Sequence, residues 1–362
     1  MQLDMHYHGT YAMARAAGIN ADTAEIIATA AQFVDDNACG DSILFKDGGR
    51  FYTEATAHHP ANGANLCLKD QRFVWIPFHF LPGDEGKTYT EKLICRQDSA
   101  NVRALVQHAL DLSRGCAFAP ELIGLTAHVY ADTFSHYDFS GVSSRWNELT
   151  PNSLDILNTD LPDGMKTYIE DKSEKFLKRY FKEIKSLDNI IGWFAQGASG
   201  GLGHGGASTY PDRPYLKWGF TRKRDGLRIE HDNPATFLEG CEALHGMFSR
   251  FAELHPERTT GKAMAFADIR EPVMEVLSTA TPLQGRIDAW QQAFRAGAIT
   301  GQSEVIRPYS DDGWNDEREA LNRTESSFDA AQSHAYRFYQ AAAALRIFTL
   351  RQLLPAQGLI VA

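Results

Sequence analysis

Cysteine is sparse in this sequence and is not arranged for either of its usual structural uses. Cys39, Cys67, Cys95, Cys116 and Cys241 are spread over 362 positions with no CxxC pair, which argues against a disulfide framework and against a thiolate zinc site. A metal, if bound, would need His, Asp and Glu. Positive charge is also in deficit. With 36 Lys and Arg against 46 Asp and Glu the net charge is −10, so basic contacts must be local and double-stranded DNA is not an expected partner. No apolar run approaches the ~20 residues of a spanning helix. The start, "MQLDMHYHGTYAMARAAG", has no basic segment followed by an apolar one, so no Sec-type signal is expected. The expected location is the cytoplasm, or export by a route that needs no such signal.

Several catalytic signatures are missing too. There is no GxSxG elbow for a serine hydrolase and no GK[ST] for a P-loop. Gly201-Leu202-Gly203-His204-Gly205-Gly206 fits GxGxxG, but the dinucleotide fingerprint needs a helix after it, and "ASTYPDRPYLKW" carries two prolines that forbid one. His231-Asp232 runs straight into Asn233-Pro234, so the pair precedes a helix, contrary to an HD-type phosphohydrolase. The glycines suit either a plain surface loop or a segment that lets His204 and Asp212 approach a site closely.

What is present is a hydrophobic content of 43%, enough for a large core in a mainly α chain, read as a single domain over 1–362. Asn20 can cap a helix whose Ala24, Ile27, Ala28, Ala31 and Val34 recur at helical spacing and which ends at Asp35-Asp36. Further helices fit about 99–114, 120–136, 163–187, 234–254, 261–278, 283–297 and 326–354. A small β insertion is expected over about 42–80, a hairpin turned at Asp47-Gly48-Gly49 followed by the extended piece "RFVWIPFHF". Loops at about 139–162 and 196–218 are read as mobile.

Within helix 120–136, His128, Asp132 and His136 lie at steps of four, inside about 80° of one another around the axis. The rest of that helix is apolar nearly all round, so the stripe should be buried, where imidazole and carboxylate need partners or a metal. An ordinary His–Asp bond inside a core satisfies the spacing equally well. The first 212 residues, however, hold most of the 13 histidines in short polar contexts: Asp4, His6 and His8; Asp35 and Asp36; His58 and His59; His79; His204 and Asp212. Taken together they suggest a metal cluster with nitrogen and oxygen ligands.

"DMHYHGTYAMARAAG", "AEIIATAAQFVDD", "PFHF", "HVYADTFSH" and "GHGG…YPDRP" resemble an uncharacterised bacterial family of unknown function over most of the first 220 residues. The order of ligand types is also similar to the zinc-dependent phospholipase C and single-strand nuclease superfamily. It resembles as well the phosphatidylcholine-hydrolysing phospholipases C of the Pseudomonas and Legionella type. The resemblance implies an all-helical fold around two or three zinc ions, with calcium or manganese as alternatives at one position. His128 and Asp132 match the superfamily's HxxxD directly; His6, Asp36 and His59 match by order, and His136, His204 and Asp212 more distantly. Two features depart from it. The superfamily's enzymes ligate metal with a mature N-terminal tryptophan where this sequence has Met1, and a second HxxxE/D helix is missing, a gap that His79 can fill.

The implied reaction is hydrolysis of a phosphodiester, with Asp35 as the base or water-orienting carboxylate unless it exchanges roles with Asp36. Trp146, Tyr210 and Trp218 are expected to rim the substrate, as a cage for a quaternary ammonium or as stacking platforms for bases. The expected partner is a phospholipid or another phosphodiester, with transient membrane-surface contact through the basic face of 172–185 and "TRKR" at 221–224. A phospholipase C is the first expectation and a single-strand nuclease the second. A metal-stabilised interaction or toxin-like protein without turnover is the third.

Overall fold

The structure, a computed structural model, describes residues 1–38, 40–58, 67–188, 202–321 and 326–362. It is mainly helical, with one two-stranded and one three-stranded sheet among the described residues. The chain enters through a wide π turn, Asp4–Gly9, that runs into α1 (Thr10–Ala16). Every residue of both is buried, and so they lack the polar face that would mark a helix in the sequence. Asn20 then caps α2 (Ala21–Asp36) by accepting from Thr23 N at 2.9 Å, as its position predicts. The hairpin β1 (Ser42–Leu44) and β2 (Arg50–Tyr52) is antiparallel, with Ile43 opposite Phe51.

The expected extended piece at 72–80 is helical instead: a π turn, Gln71–Trp75, leads into Ile76–Phe78. An aromatic and β-branched run bounded by turns cannot be told from a buried helix by periodicity. Here packing decides, since Val74, Ile76 and Phe78 are all buried. The consequence for the site is that His79 falls just past a helix end.

Two central helices follow, α3 (Ala100–Ser113) and α4 (Ala119–Thr133), and α4 is buried at all 15 positions. Its main neighbour is α2. The two backbones touch at Gly124, where an added Cβ would meet the Ile27 carbonyl and come within 2.7 Å of Ala30 Cβ. That approach sets the last turn of α2 beside the last turns of α4.

The segments read as loops carry more structure than expected. Trp146 and Asn147 are buried, and Asn147 fixes its segment through Ser140 N at 2.8 Å and Val142 O at 3.0 Å. β3 (Asp155–Ile156) pairs with β4 (Lys217–Thr221), which pairs with β5 (Arg228–Asp232) and sets Trp218 opposite His231. Residues 196–201 of the second loop lie outside the described residues. Between β3 and β4 runs α5 (Met165–Asp188); after β5 come α6 (Asn233–Leu254), α7 (Phe266–Leu277), α8 (Leu283–Arg295), α9 (Asp311–Leu321) and α10 (His334–Phe348). One buried apolar cluster runs from Met1 to Leu353, while Met165 and Ile169 of α5 join a second one with Trp218 and Phe220 of β4. Among the described residues no helix is long and apolar enough to cross a membrane.

Candidate metal centre

His128 and Asp132 stand one turn apart near the end of α4, both fully buried. The helix formally stops at Thr133, but His136 N still bonds to the Asp132 carbonyl at 2.8 Å, so His136 keeps the helical spacing. Four other elements bring side chains to this stripe. The entry turn contributes His6, the last turn of α2 Asp35, the end of the 76–78 helix His79, and the glycine-rich loop His204 and Asp212. Three groups result, each with ligand atoms within 4.8 Å of one another: His6, Asp35 and His128; His79, His128 and Asp132; His136, His204 and Asp212. These buried His and Asp groups are able to hold metal ions.

Asp132 joins the groups. Its Oδ1 lies 3.2 Å from His6 Nε2 and 2.9 Å from the α-amino nitrogen of Met1. Its Oδ2 faces His128 Nε2 at 3.2 Å, His79 Nδ1 at 3.4 Å and His136 Nδ1 at 3.4 Å. The Met1 amine also reaches Asp212 Oδ1 at 3.3 Å. Asp35 closes the far side, with Oδ1 3.8 Å from His79 Nδ1 and Oδ2 3.8 Å from His6 Nε2. Its side chain, 32% exposed, is the most open of the cluster, ahead of His204 at 17%.

Backbone carbonyls orient four of the five imidazoles. His128 Nδ1 lies 2.8 Å from Ala31 O and His79 Nε2 2.8 Å from Thr56 O. His136 Nδ1 lies 3.0 Å from His79 O and His204 Nδ1 2.9 Å from Ser208 O. A carbonyl only accepts, so each ring nitrogen facing one carries a proton, and in the neutral ring the other nitrogen holds a lone pair. On His128, His79 and His204 that lone pair points into the cluster, and on His136 it points at Asp212. Ser208 turns its carbonyl to His204 from a left-handed conformation, φ +55°. Gly203, φ +51°, lies so close to the Phe80 ring that a Cβ there would stand 2.5 Å from Cζ. His6 is held by stacking on His128, with ring centroids 3.9 Å apart, and both its nitrogens are buried without a hydrogen-bond partner, as is Asp132 Oδ2.

Electrostatics act on the donors in both senses. Burial, helped by His128 and the Met1 amine, pushes the His6 imidazole down to about 3, and burial pushes His204 down to about 4, so both are neutral at pH 7. Burial opposes the charge of Asp132 and Asp212, but the imidazoles and the Met1 amine around them outweigh it and hold both carboxyls below the usual range. For His128 the carboxylates of Asp132 and Asp35 outweigh burial and raise it. The same carboxylates, with Asp212, raise the Met1 amine to about 11 against its desolvation.

Some expected residues lie elsewhere. Asp36 accepts from Tyr309 Oη at 2.6 Å and from Gln32 Nε2 at 3.2 Å, which turns it away from the cluster and leaves the position to Asp35. His59 lies outside the described residues, while its neighbour His58 is 3.6 Å from Asp70. Asp4 pairs with Arg286 at 2.6 Å, and His8 faces the Leu3 carbonyl at 3.3 Å. The expected aromatic rim is not formed. Trp218 is fully buried and stacks on His231 at 4.3 Å, Tyr210 packs edge-on against Trp218, and Trp146 is capped by Arg222 and Arg224 at 4.6 and 3.9 Å. Sequence reasoning missed the Met1 amine, which carries no side-chain signal.

Compared with known proteins, residues 1–353 match a family described as "Family of unknown function (DUF6765)". The chain belongs to this family. No curated protein and no solved structure matches it. Within the family's span fall all eight side chains of the cluster.

Proposed function

We propose that this member of the family is a metal-dependent hydrolase of phosphoric esters, with zinc as the favoured ion and two or three ions bound. The observation that carries the reading is the convergence of donor atoms: His128 Nε2 and His79 Nδ1 stand 3.2 Å apart, and Asp132 Oδ2 lies 3.2 and 3.4 Å from them. Five imidazoles and three carboxylates without a thiolate are a donor set that suits zinc in a hydrolase. The two oxygens of Asp132 face different nitrogens, which suits a carboxylate shared between two ions. When bound, such ions supply Lewis acidity, neutralising phosphoryl oxygens and making water more acidic.

The chain's own residues do the rest. Asp132, Asp212 and the buried imidazoles fix the positions where charge is neutralised, and the backbone carbonyls behind the rings hold them in place. Asp35, the most open side chain of the cluster, faces both the cluster and solvent, and is the carboxylate placed to orient an attacking water or accept its proton.

Among phosphoric esters, phospholipids of the phosphatidylcholine kind are proposed first, on the sequence resemblance and the net charge of −10. Single-stranded nucleic acid is the second candidate. The test is release of phosphocholine from phosphatidylcholine set against cleavage of single-stranded DNA and RNA, each with and without added zinc. Metal-dependent turnover of either supports the reading, cleavage of nucleic acid alone selects the second substrate, and inactivity of the zinc-loaded protein on all of them overturns it.

A further inference from the structure

The loop that brings His204 and Asp212 to the cluster continues into Arg213, which is 4% exposed. Its Nη1 donates to the Tyr215 hydroxyl at 3.2 Å and its Nη2 to Thr209 Oγ1 at 3.1 Å, but its Nε is buried with no acceptor. Among the described residues no carboxylate pairs with it. The other buried arginines all have one: Arg15 with Glu304, Arg222 with Asp225, Arg286 with Asp4 and Arg346 with Glu54. A guanidinium taken from water without a counter-charge is costly, and an anion removes that cost.

The surroundings add positive charge. Arg213 and the exposed Lys172 of α5 lie 5.5 and 5.7 Å from the centre of the same half-buried Tyr168 ring. Arg286 stands 5.7 Å from the Tyr215 ring, its own charge met by Asp4. Two cations sharing one tyrosine repel a quaternary ammonium and favour an anion. The free Nε–H and the second proton of Nη2, whose other proton goes to Thr209, are the fork that would take two oxygens of one oxyanion.

We propose that Arg213, assisted by Lys172, forms a binding site for a phosphoryl oxyanion on the loop that supplies His204 and Asp212. That the ligand is an oxyanion follows from the arginine and its surroundings. That it is a phosphoryl group rests on the hydrolase reading. It is either free phosphate or the phosphoryl group of an ester.

The experiment is calorimetric titration of the full-length, as-purified protein with inorganic phosphate and, separately, with phosphocholine, with metal content measured in every variant. Arg213→Met should bind at least about tenfold more weakly, the equivalent of one lost charge-assisted contact, with metal content unchanged. Arg213→Lys, which keeps the charge but not the fork, should fall between. Because it removes an unneutralised buried charge, Arg213→Met should also melt no lower than wild type without phosphate. If it does not fold, Lys172→Met on the exposed helix face should still weaken binding severalfold. Binding of phosphate alone identifies a free-phosphate site and binding of phosphocholine an ester site. Equal affinities in wild type and the folded variants, or no saturable binding of either probe, would overturn the proposal. Metal content is read separately, so a protein without metal leaves this result interpretable.

Discussion

His128 Nε2 and His79 Nδ1 stand 3.2 Å apart, and the other nitrogen of each ring is 2.8 Å from a backbone carbonyl oxygen. Each far nitrogen therefore carries a proton, and in the neutral rings the near ones meet lone pair to lone pair, whereas the carboxylates that raise His128 favour a proton between them. Asp132 Oδ2, 3.2 Å from His128 Nε2, adds a further electron pair. Such a meeting is repulsive by itself and favourable around a cation.

Replacing Asp132 by Asn keeps its shape and removes the charge a metal needs. Metal affinity should fall by about 10- to 100-fold or more, and hydrolysis with it, while the helical circular dichroism persists. Elemental analysis of the variant beside wild type measures this. Unchanged metal content would mean that Asp132 is only a helix partner of its histidines.

Gly124→Ala addresses the scaffold. Its Cβ would press on the Ile27 carbonyl and stand 2.7 Å from Ala30 Cβ, so α2 and α4 must part. The expected loss is about 1–3 kcal/mol of stability, read by calorimetry, with weaker metal retention because Asp35 moves away from His128. A melting temperature equal to wild type would show that the two backbones do not touch.

The fold was legible where the signal was local. Asn20 announces α2, and Asp47-Gly48-Gly49 announces the hairpin, because caps and turns are decided by a few adjacent residues. At 72–80 and in the entry turn, elements buried on all sides present no periodic polar face, and tertiary packing chose between helix and strand. In the site, spacing put His128, Asp132 and His136 on one helix stripe, and only the other histidines of the first 212 residues pointed from that stripe to a metal. The choice of Asp35 over Asp36 was not readable, since it depends on Tyr309, 273 residues away, capturing Asp36. Trp218 and Tyr210 look like rim residues in sequence because they sit among prolines and glycines, and only the β4–β5 pairing reveals them as core.

Arg286 fixes the entry turn through Asp4, a pair 2.6 Å apart with both side chains buried. Arg286→Met leaves Asp4 buried and uncompensated, an expected cost of about 3–5 kcal/mol in urea unfolding. The double variant Asp4→Asn, Arg286→Met should recover most of it. Equal losses in the single and double variants would mean that the pair does not carry the stability.

A pH effect is expected away from the cluster. His334 Nδ1 lies 2.7 Å from Glu121 Oε1, and this bond outweighs partial burial to raise the imidazole above its ordinary value. A group raised on folding contributes stability that is complete below its unfolded pKa, about 6.5, and lost as pH rises through its folded pKa. Wild type should lose melting temperature across that window, and His334→Gln should lose less. Parallel pH profiles for the two proteins would assign the slope elsewhere.

Elemental analysis of the protein purified without chelator is the most direct test of the metal centre. At least two equivalents of zinc or a similar divalent ion per chain are expected, falling together with activity when a chelator removes them. A preparation free of metal yet folded and active would contradict the account.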